Sequence, residues 1–324
     1  MDILPGTWAV AISAIVIGLA IGFALQRGRF CMNTAFRDIV FINDVTLFRA
    51  YLVALVITII GANALEDLHL LGSDQYGFFT LARQPFAPVA NIVGGYLFGL
   101  GMVLASGCGS GILYRVGEGL ISALLATLAF AIGMVMTTRG VLKPVYMAMK
   151  QYTVNDAAGN PLTLYGFFGG SETAKWITIA VITVIAGIYI LKGKPFQKGP
   201  AKGYKWSSAG LFIGVVAVAA WWASGWFGRD PRGLSFTGPL SEFSQAITLG
   251  SSNSPRQMFS FGNIGKNPFT VTWSAIYILA VPIGAYLSAR GLKEFKLNAP
   301  PARDLATVFG GGLLMGFGAS VAGG

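Results

Sequence analysis

The chain has 324 residues, 54% hydrophobic and 11% charged, with 44 glycines, a mean hydropathy of +0.64 and a net charge of +10. So little charge excludes a water-facing globular domain, for which about 25% is usual, and so high an apolar content excludes disorder; two cysteines exclude a disulfide-stapled secreted domain, and unperiodic glycines a collagen. What remains is an all-α polytopic integral membrane protein, one membrane domain over 1–324, whose basic excess reads as positive-inside loops or a basic funnel for an anion rather than nucleic-acid binding.

Eight apolar runs are long enough to cross about 30 Å of hydrocarbon. In chain order they are Trp8–Leu25, Leu47–Leu65, Val89–Ala105, Gly119–Thr137, Ala174–Leu191, Ser207–Trp226, Thr270–Ala289 and Leu305–Gly324. The third is interrupted by glycines. The first lacks the basic n-region of a cleavable signal peptide, since only Asp2 precedes it. Basic residues gather in 27–49, 192–205 and 290–304, which marks these loops as cytoplasmic. The stretch 66–88, with Glu66, Asp67 and Asp74 against Arg83, reads as external, and the lone His69 there as solvated. Strict alternation with the N-terminus outside satisfies every loop, and puts Trp221, Trp222 and Trp226 in an outer aromatic belt. Two long polar connections, 138–173 and 228–269, are of a length that is usually functional or mobile. Within the second, Pro239–Leu249 predicts a half-helix too short to span.

The chain repeats itself. Gly94-Gly95-Tyr96-Leu97-Phe98-Gly99-Leu100-Gly101 returns 217 residues later as Gly311-Gly312-Leu313-Leu314-Met315-Gly316-Phe317-Gly318. Through Gly107 and Gly324 the match is seven identities in fourteen positions, six of them glycine or alanine. This divides the chain into a first repeat near 8–137, a linking region 138–206 and a second repeat 207–324. The repeat is either parallel or inverted. Glycine-interrupted segments duplicated in two halves point to a transporter's central site. Position 325 would fall opposite Cys108, so the native chain is expected to continue past Gly324 with a third cysteine.

Cys31 lies just past the first run, in Arg27-Gly28-Arg29-Phe30-Cys31-Met32-Asn33, and Cys108 lies in Ala105-Ser106-Gly107-Cys108-Gly109-Ser110-Gly111. A membrane cysteine is ordinarily a small inert hydrophobe. Arg27 and Arg29 favour a thiolate and attract anions beside Cys31. Gly107, Gly109 and Gly111 present Cys108 at a broken helix with no bulky neighbour, and a β-branched residue at Gly107 or Gly109 is expected to fill the gap. Asn33 and Ser110 are either hydrogen-bond donors of the same sites or turn formers. Arg115 and Glu118 either support the site or form an interfacial pair capping the fourth run. Nothing here has metal-ligand spacing, a Walker A loop or a Rossmann loop, so no cofactor or metal is expected. With no Cys-x-x-Cys, a dithiol enzyme would need the two distant thiols to meet.

These segments, from Gln26-Arg27-Gly28-Arg29-Phe30-Cys31 through the two glycine runs and Tyr114-Arg115-Val116-Gly117-Glu118-Gly119, resemble the YeeE/YedE family of sulfur-compound transporters, and among them the YeeE type that takes up thiosulfate. The resemblance implies an hourglass-shaped protein of the bacterial inner membrane, with short re-entrant helices meeting at its centre. It makes Cys31 and Cys108 two pathway cysteines and implies a small cytosolic TusA-like sulfurtransferase as partner. Thiosulfate is a dianion whose terminal sulfur accepts from a thiol S–H. Repeated weak sites of that kind let an ion both enter and leave, and backbone N–H groups at helix ends offset its charge. The alternatives are another sulfur or selenium oxyanion such as sulfite or selenite, a membrane thiol–disulfide oxidoreductase, and a structural subunit anchoring a partner through 192–205.

The five lysines between Lys192 and Lys205 generate a test of sidedness. A cysteine introduced at position 198 should resist membrane-impermeant thiol reagents in intact cells and label in inverted vesicles. The opposite pattern would reverse the assignment.

Overall fold

The computed structural model describes residues 6–74, 77–81, 85–155, 161–196, 205–249, 258–264 and 267–323. Twelve α-helices are present among them. They are α1 (Gly6–Gly28), α2 (Met32–Ile42), α3 (Thr46–Asp67), α4 (Pro88–Leu104), α5 (Gly109–Gly117), α6 (Ile121–Thr138), α7 (Lys143–Lys150), α8 (Glu172–Leu191), α9 (Trp206–Gly228), α10 (Thr237–Leu249), α11 (Trp273–Leu292) and α12 (Ala302–Ala322). Two antiparallel hairpins, β1 (Ser73–Asp74) with β2 (Gly77–Phe78) and β3 (Met258–Ile264) with β4 (Asn267–Thr272), lie in connections. Neither was legible as a strand pair in the sequence. The seventh run begins in β4, so its helix starts at Trp273 instead of Thr270.

All eight apolar runs form helices long and apolar enough to cross a membrane. The chain is an all-α polytopic membrane protein. The first and third apolar stretches each contain two helices, α1 then α2 and α4 then α5, broken near Cys31 and Cys108. The half-helix foreseen at Pro239–Leu249 is α10, begun two residues earlier. The connection 138–173 holds α7 and a single 3₁₀ turn over Leu164–Phe168. The lysine-loop residues 197–204 and the continuation expected beyond Gly324 lie outside the described residues.

Small residues set the helix packing, because lipid gives no hydrophobic drive between helices and contact depends on close approach. Gly18 and Gly22 of α1 meet Tyr277 and Val281 of α11 in that order, and Gly284 meets Leu19, so α1 and α11 run parallel. Gly94 and Gly101 of α4 meet Gly318 and Met315 of α12, an antiparallel pair. Gly312 and Gly316 of α12 meet Ala126 and Phe130 of α6 in parallel. Gly210 and Gly214 of α9 follow Ala50 and Ile57 of α3, while the start of α9 meets the end of α1 at Gly28. At the two ends of α8, Lys175 reaches Asp67 and Tyr189 reaches Phe48, so α8 opposes α3. The eight long helices therefore alternate in direction. The order long, short, long, long in α1–α4 returns in α9–α12 with every direction reversed.

The outward faces are apolar. Ile12, Val16, Ile92, Val103, Leu128, Ile185, Val215 and Leu287 are exposed, as lipid-facing side chains must be. Inside sit alanines, glycines and a few large side chains such as Phe130, Tyr114 and Tyr277.

The glycines of the repeat thus divide by neighbour. A Cβ at Gly22 would overlap the Val281 carbonyl, whereas one at Gly95 meets nothing within 4 Å. Gly22→Leu should force α1 from α11, costing about 1–3 kcal/mol or more, and lower the melting temperature in detergent. Gly95→Leu should leave it unchanged or higher. Equal melting of the two variants would contradict the packing described.

Candidate functional site

Each cysteine sits at a helix corner built in the same way. α1 stops at Gly28 because Arg29 turns into the left-handed region (φ 50), and the Phe30 N–H closes back on the Leu25 carbonyl at 3.0 Å. Cys31 then takes extended backbone (φ −139, ψ 125) as the N-cap of α2. α4 stops at Leu104 because Ser106 turns left-handed (φ 58), and the Gly107 N–H closes on the Met102 carbonyl at 3.0 Å. Cys108 (φ −77, ψ 178) is the N-cap of α5. This is the helix C-terminal closure that glycine usually supplies. Arg29 and Ser106 adopt it at a cost on the order of 1–3 kcal/mol each.

The corners bring the thiols together. Cys31 and Cys108, 77 residues apart, are both free and buried, with their sulfurs 3.5 Å apart. The Cys108 sulfur lies 3.2 Å from Ser110 Oγ. Cys31 and Cys108 are the N-cap residues of α2 and α5, and neither side chain makes a cap hydrogen bond. Both sulfurs therefore lie at helix N-termini, where N–H groups without intrahelical partners and the helix dipole favour negative charge. Tyr51 of α3 packs on Phe30, ring centroids 3.8 Å apart, and its hydroxyl lies beside Ser110. Tyr114 is buried on the other flank.

At the far end of α5, a polar cluster ties three helices. Glu118, nearly buried, accepts from Gln26 Nε2 at 3.2 Å and pairs with Arg29 at 3.5 Å. Glu294, just past α11, accepts from Gln26 at 2.8 Å and Arg29 at 2.9 Å. Gln26, buried, accepts in turn from Ser288 Oγ at 2.5 Å, and Arg27 donates to Ser288 at 3.2 Å. The cluster fixes Arg29, and through it the corner that presents Cys31.

The structure thus unites Cys31, Cys108, Ser110 and Gly111, with Arg29 and Glu118 at the end of the same short helix. Asn33 occupies the first turn of α2 without joining the thiol contacts. Arg115 and Glu118 do not form the capping pair that their spacing allowed. Arg115 donates to the Ser106 carbonyl, bracing the second corner, and Glu118 turns to Arg29. The glycines also exchange roles. None of Gly107, Gly109 and Gly111 has a left-handed φ, and the conformation expected of them belongs to Ser106. A Cβ at Gly107 would come 3.3 Å from Ile112, and at Gly109 3.3 Å from Phe236 just before α10. A Cβ at Gly111 would overlap the Cys31 sulfur outright, so Gly111 makes room for the thiol pair. Gln26, Glu294, Ser288, Tyr51 and Tyr114 were not singled out as site residues. Of these, only Gln26 carried a local signal, a polar residue at the end of an apolar run.

The sequence profile of the Sulphur transport family matches residues 27–324. A thiosulfate transporter, TsuA of Escherichia coli K12, is 29% identical over 333 positions, spanning 98% of this chain and 85% of that protein. TsuA of Spirochaeta thermophila is 31% identical over 325 positions, 96% of this chain and 88% of that protein. A shorter match, 28% over 109 positions, relates 33% of the chain to 24% of the probable transporter YedE of E. coli K12.

A sulfur–sulfur distance of 3.5 Å predicts joint oxidation. Mild oxidant should consume both thiols together as one intramolecular disulfide, followed by thiol titration and a non-reducing gel. Gly111→Ala, which displaces the Cys31 sulfur, should slow that reaction markedly. Independent oxidation of the two thiols would contradict the geometry.

Proposed function

The chain belongs to the Sulphur transport family, and on that premise we propose that it takes up thiosulfate across the bacterial inner membrane, passing the ion by hydrogen bonds from Cys108 and Cys31. The observation that carries the reading is the pair of buried thiols 3.5 Å apart, each at the N-cap position of a short helix.

Thiosulfate is a costly dianion to desolvate. The helix N-termini of α2 and α5 supply partial positive charge, and Arg115, bracing the corner at Ser106, adds a full one nearby. Its terminal sulfur is a soft acceptor suited to a thiol S–H, a weak donor. Weak donors in succession permit release as well as capture, as conduction requires. No covalent bond forms, and no cofactor is called upon. Sulfite and selenite lack a terminal sulfur, so they remain the weaker substrate reading. The meeting of the thiols satisfies the geometric demand of a dithiol enzyme, but the chain's full-length relatives are named transporters, and it is a transporter of sulfur compounds.

The reversed order of α1–α4 and α9–α12 supports an inverted repeat, with repeat 1 near 8–137, a link 138–206 and repeat 2 from 207. Such repeats frame a central site in many transporters. With the N-terminus periplasmic, the cluster of Arg29, Glu118 and Glu294 faces the cytoplasm. A TusA-like sulfurtransferase on that side would accept the delivered sulfur compound.

The test is growth and labelled uptake on thiosulfate in a bacterium lacking its own route. Cys108→Ala and Cys31→Ala should each cut uptake about tenfold or more, the loss expected for a hydrogen bond to a charged ligand, at unchanged membrane abundance. Normal uptake by both variants would end the thiol reading.

A further inference from the structure

Tyr277 lies one turn into α11 and is 1% exposed. Its hydroxyl is a buried side-chain oxygen with no hydrogen-bond partner among the described residues. Buried polar groups in proteins are nearly always paired, because leaving one unpaired sacrifices its hydration for nothing. Phenylalanine would fill the same volume without that loss. An oxygen retained here calls for a partner that comes and goes.

The ring's surroundings say where such a partner would pass. Tyr277 stacks on Trp273, with centroids 5.6 Å apart and planes 11° apart. Its centroid is 6.3 Å from that of Phe236, immediately before the N-terminus of α10. The Phe236 Cβ in turn lies 3.3 Å from where a Gly109 Cβ would be, one residue past Cys108. Tyr277 therefore packs on Phe236, the residue that joins the starts of α5 and α10. Glu118 and Arg29 lie at the opposite end of α5, while α11 runs on from Tyr277 to touch Gly117 at Pro282.

We propose that Tyr277 is a substrate-binding residue, whose hydroxyl donates to an oxygen of the sulfur oxyanion as its terminal sulfur meets the Cys108 thiol. The proposal rests on the thiosulfate reading and deepens it. A hard O–H donor for oxygen and a soft S–H donor for sulfur would together recognise both ends of thiosulfate. Either donor alone would not separate it from sulfate-like or sulfide-like ions. The N–H groups at the starts of α5 and α10 add to the same field.

Tyr277→Phe tests this, since it keeps the ring and its stacking. Uptake kinetics on thiosulfate should show KM raised about tenfold, the loss of one hydrogen bond to an anion, with abundance preserved. The purified variant should melt at the same or a higher temperature without substrate, and lose the thermal shift that thiosulfate induces in the unsubstituted protein. An unchanged KM together with an unchanged thiosulfate-induced shift would overturn the proposal and leave the hydroxyl as a packing residue. The same measurements on sulfite separate the two claims. Transport of sulfite in place of thiosulfate would end the substrate reading alone, and an unchanged KM of Tyr277→Phe for sulfite would then end the tyrosine's role.

Discussion

Backbone N–H groups at a helix start buried in protein have no water to satisfy them, and this protein is organised around two such places. At Cys31 and Cys108 a long helix ends and a short one begins, so a set of donors opens toward the interior. Neither corner caps its helix with a side-chain oxygen. The side chain at each N-cap is a thiol, which makes no cap hydrogen bond. A thiol is a poor acceptor, which leaves the donors poised for a better one. The fold thus holds a region of positive potential, to which the Arg115 guanidinium, held by the Ser106 carbonyl at the second corner, adds a full charge.

Everything around the corners keeps them in place. The parallel contact of α1 with α11 and the antiparallel contact of α4 with α12 are made through glycine, with backbones touching. These long helices are the frame, and the short ones hang from it. Gln26 joins the ends of α1, α5 and α11 in one hydrogen-bonded knot whose members come from residues 26, 118, 288 and 294. An interior so poor in large side chains gains its order from closeness of approach more than from apolar volume.

Lipid makes the long elements readable, since its thickness fixes the length of every apolar run, and all eight are found close to where hydropathy puts them. The two cysteines stand out because glycine and arginine surround them. What escapes local reading is how the corners are made. Arg29 and Ser106 hold the left-handed conformation that suggests glycine, while the adjacent glycines serve as clearance, Gly111 for the Cys31 sulfur above all. Arg115 and Glu118 look like partners at three residues' spacing, yet Arg115 turns back to the Ser106 carbonyl and Glu118 reaches across the fold to Arg29. Gln26 meets Glu294 across 268 residues, and no periodicity carries that information. The hairpin of β3 and β4 sits in a polar connection whose composition resembles loop.

The spacing of the two sulfurs has one more consequence. At 3.5 Å they are in contact, with no room between them for a third sulfur atom. On the proposed thiol reading, an ion would be handed from one thiol to the other only after a corner swings away. Arg29 and Ser106, each holding a backbone conformation that relaxes if the turn opens, are where that swing would begin. Of the two, the corner at Arg29 leads into α2, whose far end exposes Phe41 and Ile42 on the outside of the bundle. On that reading a single short helix would join the moving corner to the apolar outer face of the bundle.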